Sequence, residues 1–194
     1  MGVIYCYLYP DFADFEVTVA LHRLKNAGGK EIVPIADTMA PVKSQSGLFY
    51  LPQATIQEAD AEAEGILIPG GPIGPGQNAL LPLLQAMDGK KKLLAAICFG
   101  PQFLARAGIL NRHLFTTSCT AEHLAALNVP DFFPRHNEKP ERVVRDGHVI
   151  SAQGPALVDF AAEVCRYFGV YETDEKEHRE LWNICDGKKG EFHA

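Results

Sequence analysis

Short, continuous apolar runs alternate along the chain with longer segments in which apolar residues recur at helical spacing. The runs GVIYCYLY, KEIVPIA, EGILI and KLLAAI are bounded by Pro, Gly or charged residues, which is typical of strands buried on both faces. Segments such as DFEVTVALHRLKN and PALVDFAAEVCRYFG carry apolar residues at every third or fourth position, which predicts amphipathic helices. This alternation predicts an α/β fold with a mostly parallel central sheet and helices on both faces.

Turn residues predict where several elements begin and end. Asp14 is a candidate N-cap for the first helix, and Gly28-Gly29 would stop that helix. The sequences around Ser46-Gly47 and Asp146-Gly147 alternate as hairpins do, and Asp-Gly favours the type I′ turn. These hairpins would add a small antiparallel part to the fold. HLFTT, AEHLAALNV and GPQFLARAGIL indicate one further strand and two further helices, and DEKEHRELWNIC a peripheral helix.

Composition and charge narrow the function classes. The chain has 194 residues, 47% of them apolar, and a formal net charge of -6. These values fit a single domain over residues 1–194, with a peripheral C-terminal helix or tail at 172–194. No apolar run approaches the roughly 18 to 20 residues of a membrane span, no Lys/Arg stripe indicates nucleic acid, and no signal-peptide pattern opens the chain. We therefore expect a cytoplasmic protein without membrane or nucleic-acid partners.

Cysteine and histidine spacing indicates neither disulfides nor metal binding. The five cysteines are an odd number without a C-x-x-C pair, so we expect reduced thiols. Cys6 and Cys165 lie in apolar runs, where packing explains them. The seven histidines show no H-E-x-x-H spacing. We therefore expect no metal site and no cofactor.

Cys98 has a different setting, between the run KLLAAI and the segment GPQFLARAGIL. A cysteine at this join is either a small core hydrophobe or a nucleophile elbow, in which a sharp strand-to-helix turn lifts the side chain out of the core. The small neighbours Ala95, Ala96 and Gly100 favour the elbow. The positive end of the following helix would lower the pKa of the thiol from about 8.5 to roughly 7 to 7.8. The sequence therefore predicts a reactive thiolate.

Two further joins between strand and helix carry candidate site residues that should share one edge of the sheet with Cys98. Glu16 lies in an apolar segment, FADFEV. It is either a protonated carboxyl that donates a hydrogen bond to the thiolate or a solvated carboxylate in the first helical turn. Gly70 and Gly71 in IPGGPIG either direct backbone N–H groups at a developing oxyanion or form a tight turn.

The motifs FADFE, GILIPGG, AAICFGPQFLARAGIL and SAQGPALVDFAAEV together resemble the ThiJ/PfpI family, which is the family of the parkinsonism-associated protein deglycase. This family is part of the class I glutamine amidotransferase-like superfamily. The resemblance runs in order from about residue 3 to residue 169. It implies a flavodoxin-like three-layer α/β/α sandwich and a homodimer. It also implies that Cys98 is paired with Glu16, with backbone N–H groups of Gly70, Gly71 and Phe99 around the thiol.

Several residues depart from the family pattern. The proteolytic branch has His after the cysteine, whereas this chain has Phe99, so we do not expect a peptidase. Ser118 stands where several deglycase and glyoxalase members carry His, and serine is a poor general base. Cys119 is a candidate resolving thiol, although adjacent residues on an extended chain point in opposite directions. Gln153 and Gly154, in a loop of the family, are candidate pocket residues, and a plain loop role for Gln153 stays open.

These residues support three hypotheses of function. The first is a cofactor-free enzyme of glyoxalase or deglycase type that acts on small carbonyls such as methylglyoxal. In this enzyme the thiolate of Cys98 attacks the carbon, and Glu16 moves the protons. The second is a redox-responsive stress protein in which Cys98 is oxidised. The third is a small-molecule hydrolase or hydratase, similar to isonitrile hydratase.

Overall fold

Across residues 2–74, 78–177 and 180–181, which this computed structural model describes, seven strands form one central sheet. The strands of the structure are β1 (Val3–Tyr7), β2 (Glu31–Ala36), β3 (Val42–Lys43), β4 (Phe49–Tyr50), β5 (Ala54–Thr55), β6 (Gly65–Ile68), β7 (Leu93–Ile97), β8 (Val143–Asp146) and β9 (Val149–Ala152). The α-helices are α1 (Phe15–Asn26), α2 (Leu81–Gly89), α3 (Pro101–Arg106), α4 (Ala121–Ala126), α5 (Leu157–Tyr167) and α6 (Asp174–Glu177). Short 3-10 helices cover Ile109–Arg112, Arg135–Asn137 and Gly154–Ala156.

The strand order is β5-β2-β1-β6-β7-β9-β8, and every neighbouring pair is parallel except β8 and β9. β3 and β4 form a separate antiparallel hairpin. α1 and α5 pack against each other on one face of the sheet, and α2 and α3 pack together on the other. This is the predicted flavodoxin-like α/β/α sandwich with a small antiparallel addition, and the prediction of the fold is confirmed.

The centre of the sheet explains why its strands are apolar at every position. All four residues of β6 and all five of β7 are buried, because helices cover both faces of these parallel strands. Reactive side chains can therefore reach solvent only at the ends of these strands. Within the described part of the chain, no helix is both long enough and apolar enough to span a membrane.

Two predicted elements differ from the structure, and a third lies partly outside the described residues. HLFTT is not a strand: Phe115 makes only an isolated bridge to Glu138, and the next N–H, that of Thr116, donates to the side-chain hydroxyl of Ser151 rather than to a backbone carbonyl. The helix predicted for GPQFLARAGIL ends at Arg106, and a 3-10 helix follows. Of the predicted C-terminal helix, the structure shows α6, and residues 182–194 lie outside the described part.

Asp14 occupies the N-cap position of α1 without capping it. Its carboxylate instead accepts hydrogen bonds from Ser46 Oγ at 2.7 Å and from the Tyr50 hydroxyl at 2.9 Å. These bonds lower the pKa of Asp14, against the raising effect of burial. They also tie the β3–β4 hairpin to the loop that leads into α1, beside the carboxyl edge of the sheet.

Candidate active site

Cys98 lies directly after β7 in a left-handed backbone conformation, with φ of 61°. This conformation costs a residue other than glycine about 1 to 2 kcal/mol. Three hydrogen bonds of its backbone hold it in place. Its N–H donates to the carbonyl of Ala152 at 2.8 Å, and its carbonyl accepts from Thr117 Oγ1 at 2.7 Å and from the N–H of Ser118 at 3.0 Å. The turn leaves the thiol only partly buried, so Cys98 lies at an elbow and is not a core residue.

Glycines surround the thiol because side chains would collide there. A Cβ atom at Gly100 would strike the carbonyl oxygen of Ile68. A Cβ at Gly70 would lie 2.8 Å from Cys98 Cβ and 2.6 Å from Glu16 Oε2, and one at Gly154 would lie 3.0 Å from the sulfur. The three joins between strand and helix thus approach one another at van der Waals distance, and this close approach brings Glu16 to Cys98.

Glu16, in the first turn of α1, is only 3% exposed. Its Oε2 accepts a hydrogen bond from the N–H of Gly70 at 2.7 Å, and the carboxyl group also hydrogen-bonds to Cys98. Burial raises the pKa of Glu16, against the lowering effect of both hydrogen bonds. A solvated carboxylate is therefore excluded.

The predicted lowering of the pKa of the Cys98 thiol is wrong. Burial, and then the charge of the Glu16 carboxylate, raise this pKa to about 12, whereas the hydroxyl of Ser118 and the N–H of Phe99 lower it. The dipole of α3 lowers the pKa of the thiol only weakly, because this helix has six residues. The negative charge of the Glu16 carboxylate acts in the opposite direction. The ionisation state of each group affects the pKa of the other, so Glu16 and Cys98 titrate as a coupled pair.

Ser118 also affects the ionisation of the Cys98 thiol. The N–H of Gly154 donates to Ser118 Oγ at 2.9 Å, and the hydroxyl of Ser118 hydrogen-bonds to Cys98. Since Oγ already accepts a bond from Gly154, its own proton is available for the sulfur. The cap of α4 is Thr120, whose hydroxyl accepts from the N–H of His123 at 3.2 Å. Ser118 is thus placed to stabilise a thiolate.

Three predicted roles are not supported by the geometry. The N–H of Gly70 is already bonded to Glu16 and is not available to an oxyanion. Cys119 is fully buried and does not line the cleft over Cys98. Its carbonyl accepts a hydrogen bond from Arg135, and burial raises the pKa of its thiol to about 11. Gln153 does not line the cleft, because its amide is directed at Thr116 Oγ1, at 3.4 Å.

A cleft of about 320 Å³ opens over the sulfur. Its lining residues are Asp11, Ala13, Glu16, Gln45, Gly71, Pro72, Cys98 and Phe99. Sequence reasoning missed Asp11 and Gln45. Asp11 has a φ of 58°, and its N–H donates to the carbonyl of Lys43, so the β3–β4 hairpin brings both side chains to the cleft. No local signal in the sequence marks this long-range contact.

Comparison with known proteins identifies the family of this chain. The model of the DJ-1/PfpI family matches residues 3–167. This chain belongs to the DJ-1/PfpI family. Protein DJ-1alpha of Drosophila melanogaster is 28% identical over 190 residues, which cover 90% of this chain and 82% of that protein. The Parkinson disease protein 7 homolog of Danio rerio is 28% identical over 149 residues, 73% of this chain and 76% of the relative.

Solved structures of related proteins have the same fold as this chain. A DJ-1 superfamily protein of Agrobacterium tumefaciens superposes with a TM-score of 0.84 at 27% identity, covering 97% of this chain and 100% of the other. The predicted resemblance to the ThiJ/PfpI family is therefore confirmed. In this DJ-1/PfpI chain, no histidine is present among the described residues that line the cleft. His123 contacts Phe99 edge-on, with ring centroids 4.7 Å apart.

Proposed function

We propose that this DJ-1/PfpI protein is a cofactor-free enzyme of glyoxalase or deglycase type. Its substrates would be small reactive carbonyls, such as methylglyoxal or its early adducts with protein amines. The observation that carries the proposal is the hydrogen bond between the buried carboxyl of Glu16 and the thiol of Cys98. The cleft above them, of about 320 Å³, is at the small end of ligand sites. It suits a substrate of a few heavy atoms.

The first step forms a carbon–sulfur bond. As the sulfur of Cys98 attacks the aldehyde carbon, Glu16 accepts the thiol proton, and the carbonyl electron pair moves onto oxygen. The hydroxyl of Ser118 and the N–H of Phe99 stabilise the thiolate on the way. Glu16 then returns the proton to the new oxyanion, which gives a hemithioacetal. The backbone of Gly71, at the cleft wall, is the candidate second contact for this oxyanion.

The second step is an internal redox reaction that needs no external oxidant. Glu16 removes the proton from the carbon that carries sulfur and passes it to the ketone oxygen, which gives an enediol. Glu16 then takes the hydroxyl proton of the first carbon, which becomes the thioester carbonyl, and delivers a proton to the neighbouring carbon, which becomes the alcohol carbon. Water then cleaves the thioester, which releases a hydroxy acid and restores the thiol. The net reaction of methylglyoxal and water gives lactate.

The test is lactate formation from methylglyoxal by protein treated with a chelator. Cys98→Ser should abolish turnover, because the serine hydroxyl is a far weaker nucleophile beside the same carboxyl. Cys119→Ala is the matched control: it removes a thiol outside the cleft and should keep turnover. Full activity in Cys98→Ser would reject the proposal.

A second candidate function is redox sensing through Cys98. Among the four described cysteines, Cys98 is partly exposed and the other three are buried, so peroxide reaches its sulfur first. Mild peroxide followed by mass spectrometry should then place sulfinate on Cys98 ahead of the others. Equal oxidation of all thiols would exclude a sensor. A hydrolase or hydratase role is the weaker alternative, since it would have to use Glu16 as proton donor to a leaving nitrogen.

We also propose that the protein acts in the cytoplasm as a homodimer. The four described cysteines are free thiols, which a reducing compartment maintains. Large apolar side chains are exposed at the start of α1 and on the β3–β4 hairpin, namely Phe15, Leu48, Phe49 and Leu51. The hydrogen bonds of Asp14 to Ser46 and Tyr50 keep the start of α1 next to the hairpin, so the two exposed apolar segments are neighbours. A second copy of the chain is the occupant that we propose for this apolar surface.

A further inference from the structure

A second cluster of polar side chains lies at the opposite edge of the sheet from Cys98. It consists of Asp88 in α2, His113 after the first 3-10 helix, and His148 before β9. The N–H of Leu94, near the start of β7, donates to the carbonyl of His148 at 2.9 Å. Cys98 follows the other end of β7, about 13 Å away at the usual rise per residue of a strand. The cluster therefore has no part in the cleft described above.

The three side chains present metal-binding atoms to one another. His148 Nε2 lies 2.8 Å from Asp88 Oδ1, and His113 Nε2 lies 3.8 Å from the same oxygen. One ligand atom from each residue falls within 4.8 Å of the other two. Tetrahedral coordination with bonds of about 2.1 Å separates ligand atoms by about 3.4 Å. Shifts of about an ångström would therefore convert the cluster into a coordination site.

The surrounding residues orient these ligands as outer-shell partners do. Arg112 donates to Asp88 Oδ2 at 2.7 Å, which leaves Oδ1 directed at the two imidazoles. His113 Nδ1 lies 3.3 Å from Asp146 Oδ2. A carboxylate behind a histidine is the usual second partner of a metal-bound imidazole. Asp146 is therefore close enough to become this second partner of His113, although it is not yet hydrogen-bonded to it.

The state of His113 Nδ1 is the observation that separates a metal site from a purely structural network. This nitrogen is buried and makes no hydrogen bond, in spite of its nearness to Asp146. A buried polar atom without a partner costs about 1 to 3 kcal/mol. A small rotation of the ring that carries Nε2 toward a shared ion would let Nδ1–H align with Asp146. A structural network alone does not explain why His113 is left unsatisfied.

We propose that Asp88, His113 and His148 form a binding site for a divalent transition-metal ion of the Zn²⁺ class. Two imidazoles and one carboxylate are a ligand set that Zn²⁺ and its neighbours in the first row prefer over Ca²⁺ or Mg²⁺. The three ligands come from α2, from the segment after the 3-10 helix and from the β8–β9 hairpin. An ion would join these elements and stabilise the folded chain, since it binds the folded state selectively.

The experiment uses the full chain carrying Cys98→Ser, so that the cleft thiol cannot bind the ion. Calorimetric titration with Zn²⁺ should give one site per chain, and Zn²⁺ should raise the midpoint of thermal unfolding. Co²⁺ in the same site should give the visible spectrum of nitrogen and oxygen ligation, without thiolate charge-transfer bands. His113→Gln should weaken binding at least about tenfold and remove the gain in thermal stability.

His113→Gln is the informative variant, because Nδ1 makes no hydrogen bond in the metal-free fold and the variant should fold normally by circular dichroism. His22→Gln, which removes an exposed histidine from α1, is the matched control and should bind as the parent does. His148→Gln should repeat the loss. Absence of Zn²⁺ binding in the parent, or binding that survives both His113→Gln and His148→Gln, would overturn the proposal.

Discussion

The backbone N–H of Gly154 donates to Ser118 Oγ at 2.9 Å. This hydrogen bond joins two loops whose bonded residues are 36 positions apart in sequence. This bond turns a serine into an oriented donor, because the oxygen is engaged and the proton faces Cys98. A serine in this position does not need to act as a base in order to assist the thiol. The departure from the histidine of related enzymes therefore changes the role of the position.

Ser118→Ala should slow alkylation of Cys98 by iodoacetamide. Loss of the hydroxyl removes a hydrogen bond that lowers the pKa of the thiol, and a bond to a charged acceptor corresponds to about a tenfold effect or more. Stopped-flow or mass-spectrometric rates at fixed pH measure the change. Thr120→Ala, which removes the cap of α4 and costs about 1 kcal/mol of stability, should leave the rate unchanged.

Glu16→Gln should separate thiolate formation from turnover. The amide has no negative charge, so the Coulombic effect and hydrogen bond by which Glu16 raises the pKa of Cys98 are lost, and the alkylation profile should shift to lower pH. Turnover of methylglyoxal should nevertheless fall about 10²- to 10⁴-fold, because the proton shuttle is gone. A variant that alkylates at higher pH than the wild type would contradict the conclusion that Glu16 raises the pKa of Cys98.

The same substitution should change how stability depends on pH. The folded-state pKa of Glu16 is raised above its ordinary value by burial, so its favourable contribution is complete in acid and is lost as pH rises through the folded-state pKa. Glu16→Gln does not titrate. As pH rises from acid to neutral, the free energy of unfolding measured with urea should therefore increase in the variant relative to the wild type. An equal dependence on pH in both proteins would contradict a buried carboxyl at Glu16.

Gly154→Ala should disable the cleft while leaving the fold intact. The added methyl group would lie 3.0 Å from the sulfur and 3.3 Å from Glu16 Oε1, so the pair must move apart, and misplacement of about an ångström costs roughly a hundredfold in rate. Lactate formation and circular dichroism measure the two effects. Gly89→Ala is the control: its methyl group meets no atom within 4 Å, and activity should be retained.

Phe49→Asp should convert the proposed dimer into a monomer. Phe49 is 69% exposed on the hairpin, and a charge at the centre of an apolar interface is strongly unfavourable. Light scattering should give twice the chain mass of 21.3 kDa for the wild type and the single mass for the variant. Leu127→Asp, at an exposed apolar residue after α4, should remain dimeric. A wild type that is monomeric at all concentrations would exclude the dimer.

Periodicity was sufficient to predict six of the seven strands of the central sheet and most helices, because these elements bury continuous or one-sided apolar surface; the two-residue edge strand β5 is too short to give such a pattern. It failed at Phe115, where the run looks like a strand but the neighbouring N–H bonds to a side chain, Ser151. It failed at Asp14 for a related reason, since the hydroxyls that bind this carboxylate come from residues 46 and 50. Local sequence cannot report a partner that arrives through tertiary structure.

In the candidate site too, some features follow from the sequence pattern and others depend on tertiary contacts. Cys98, Glu16 and Gly70 could be placed together from the rule that parallel strands share a carboxyl edge. The electrostatics could not be predicted in this way, because the pKa of the thiol depends on how deeply the pair is buried and on which N–H groups remain free. Asp88, His113 and His148 escaped notice because each comes from a different element, so that no spacing along the chain connects them.

The left-handed backbone at Cys98 sets a limit on how the chain can be improved. Glycine adopts this conformation without penalty, so Cys98→Gly should unfold at a higher temperature than Cys98→Ala, and the thermal midpoints of the two variants measure the difference. Selection for thermal stability alone would therefore favour glycine at this position, but glycine has no thiol. Under the function proposed above, the backbone strain at residue 98 is the cost of presenting a sulfur atom to the cleft, so stability and chemistry favour different residues here.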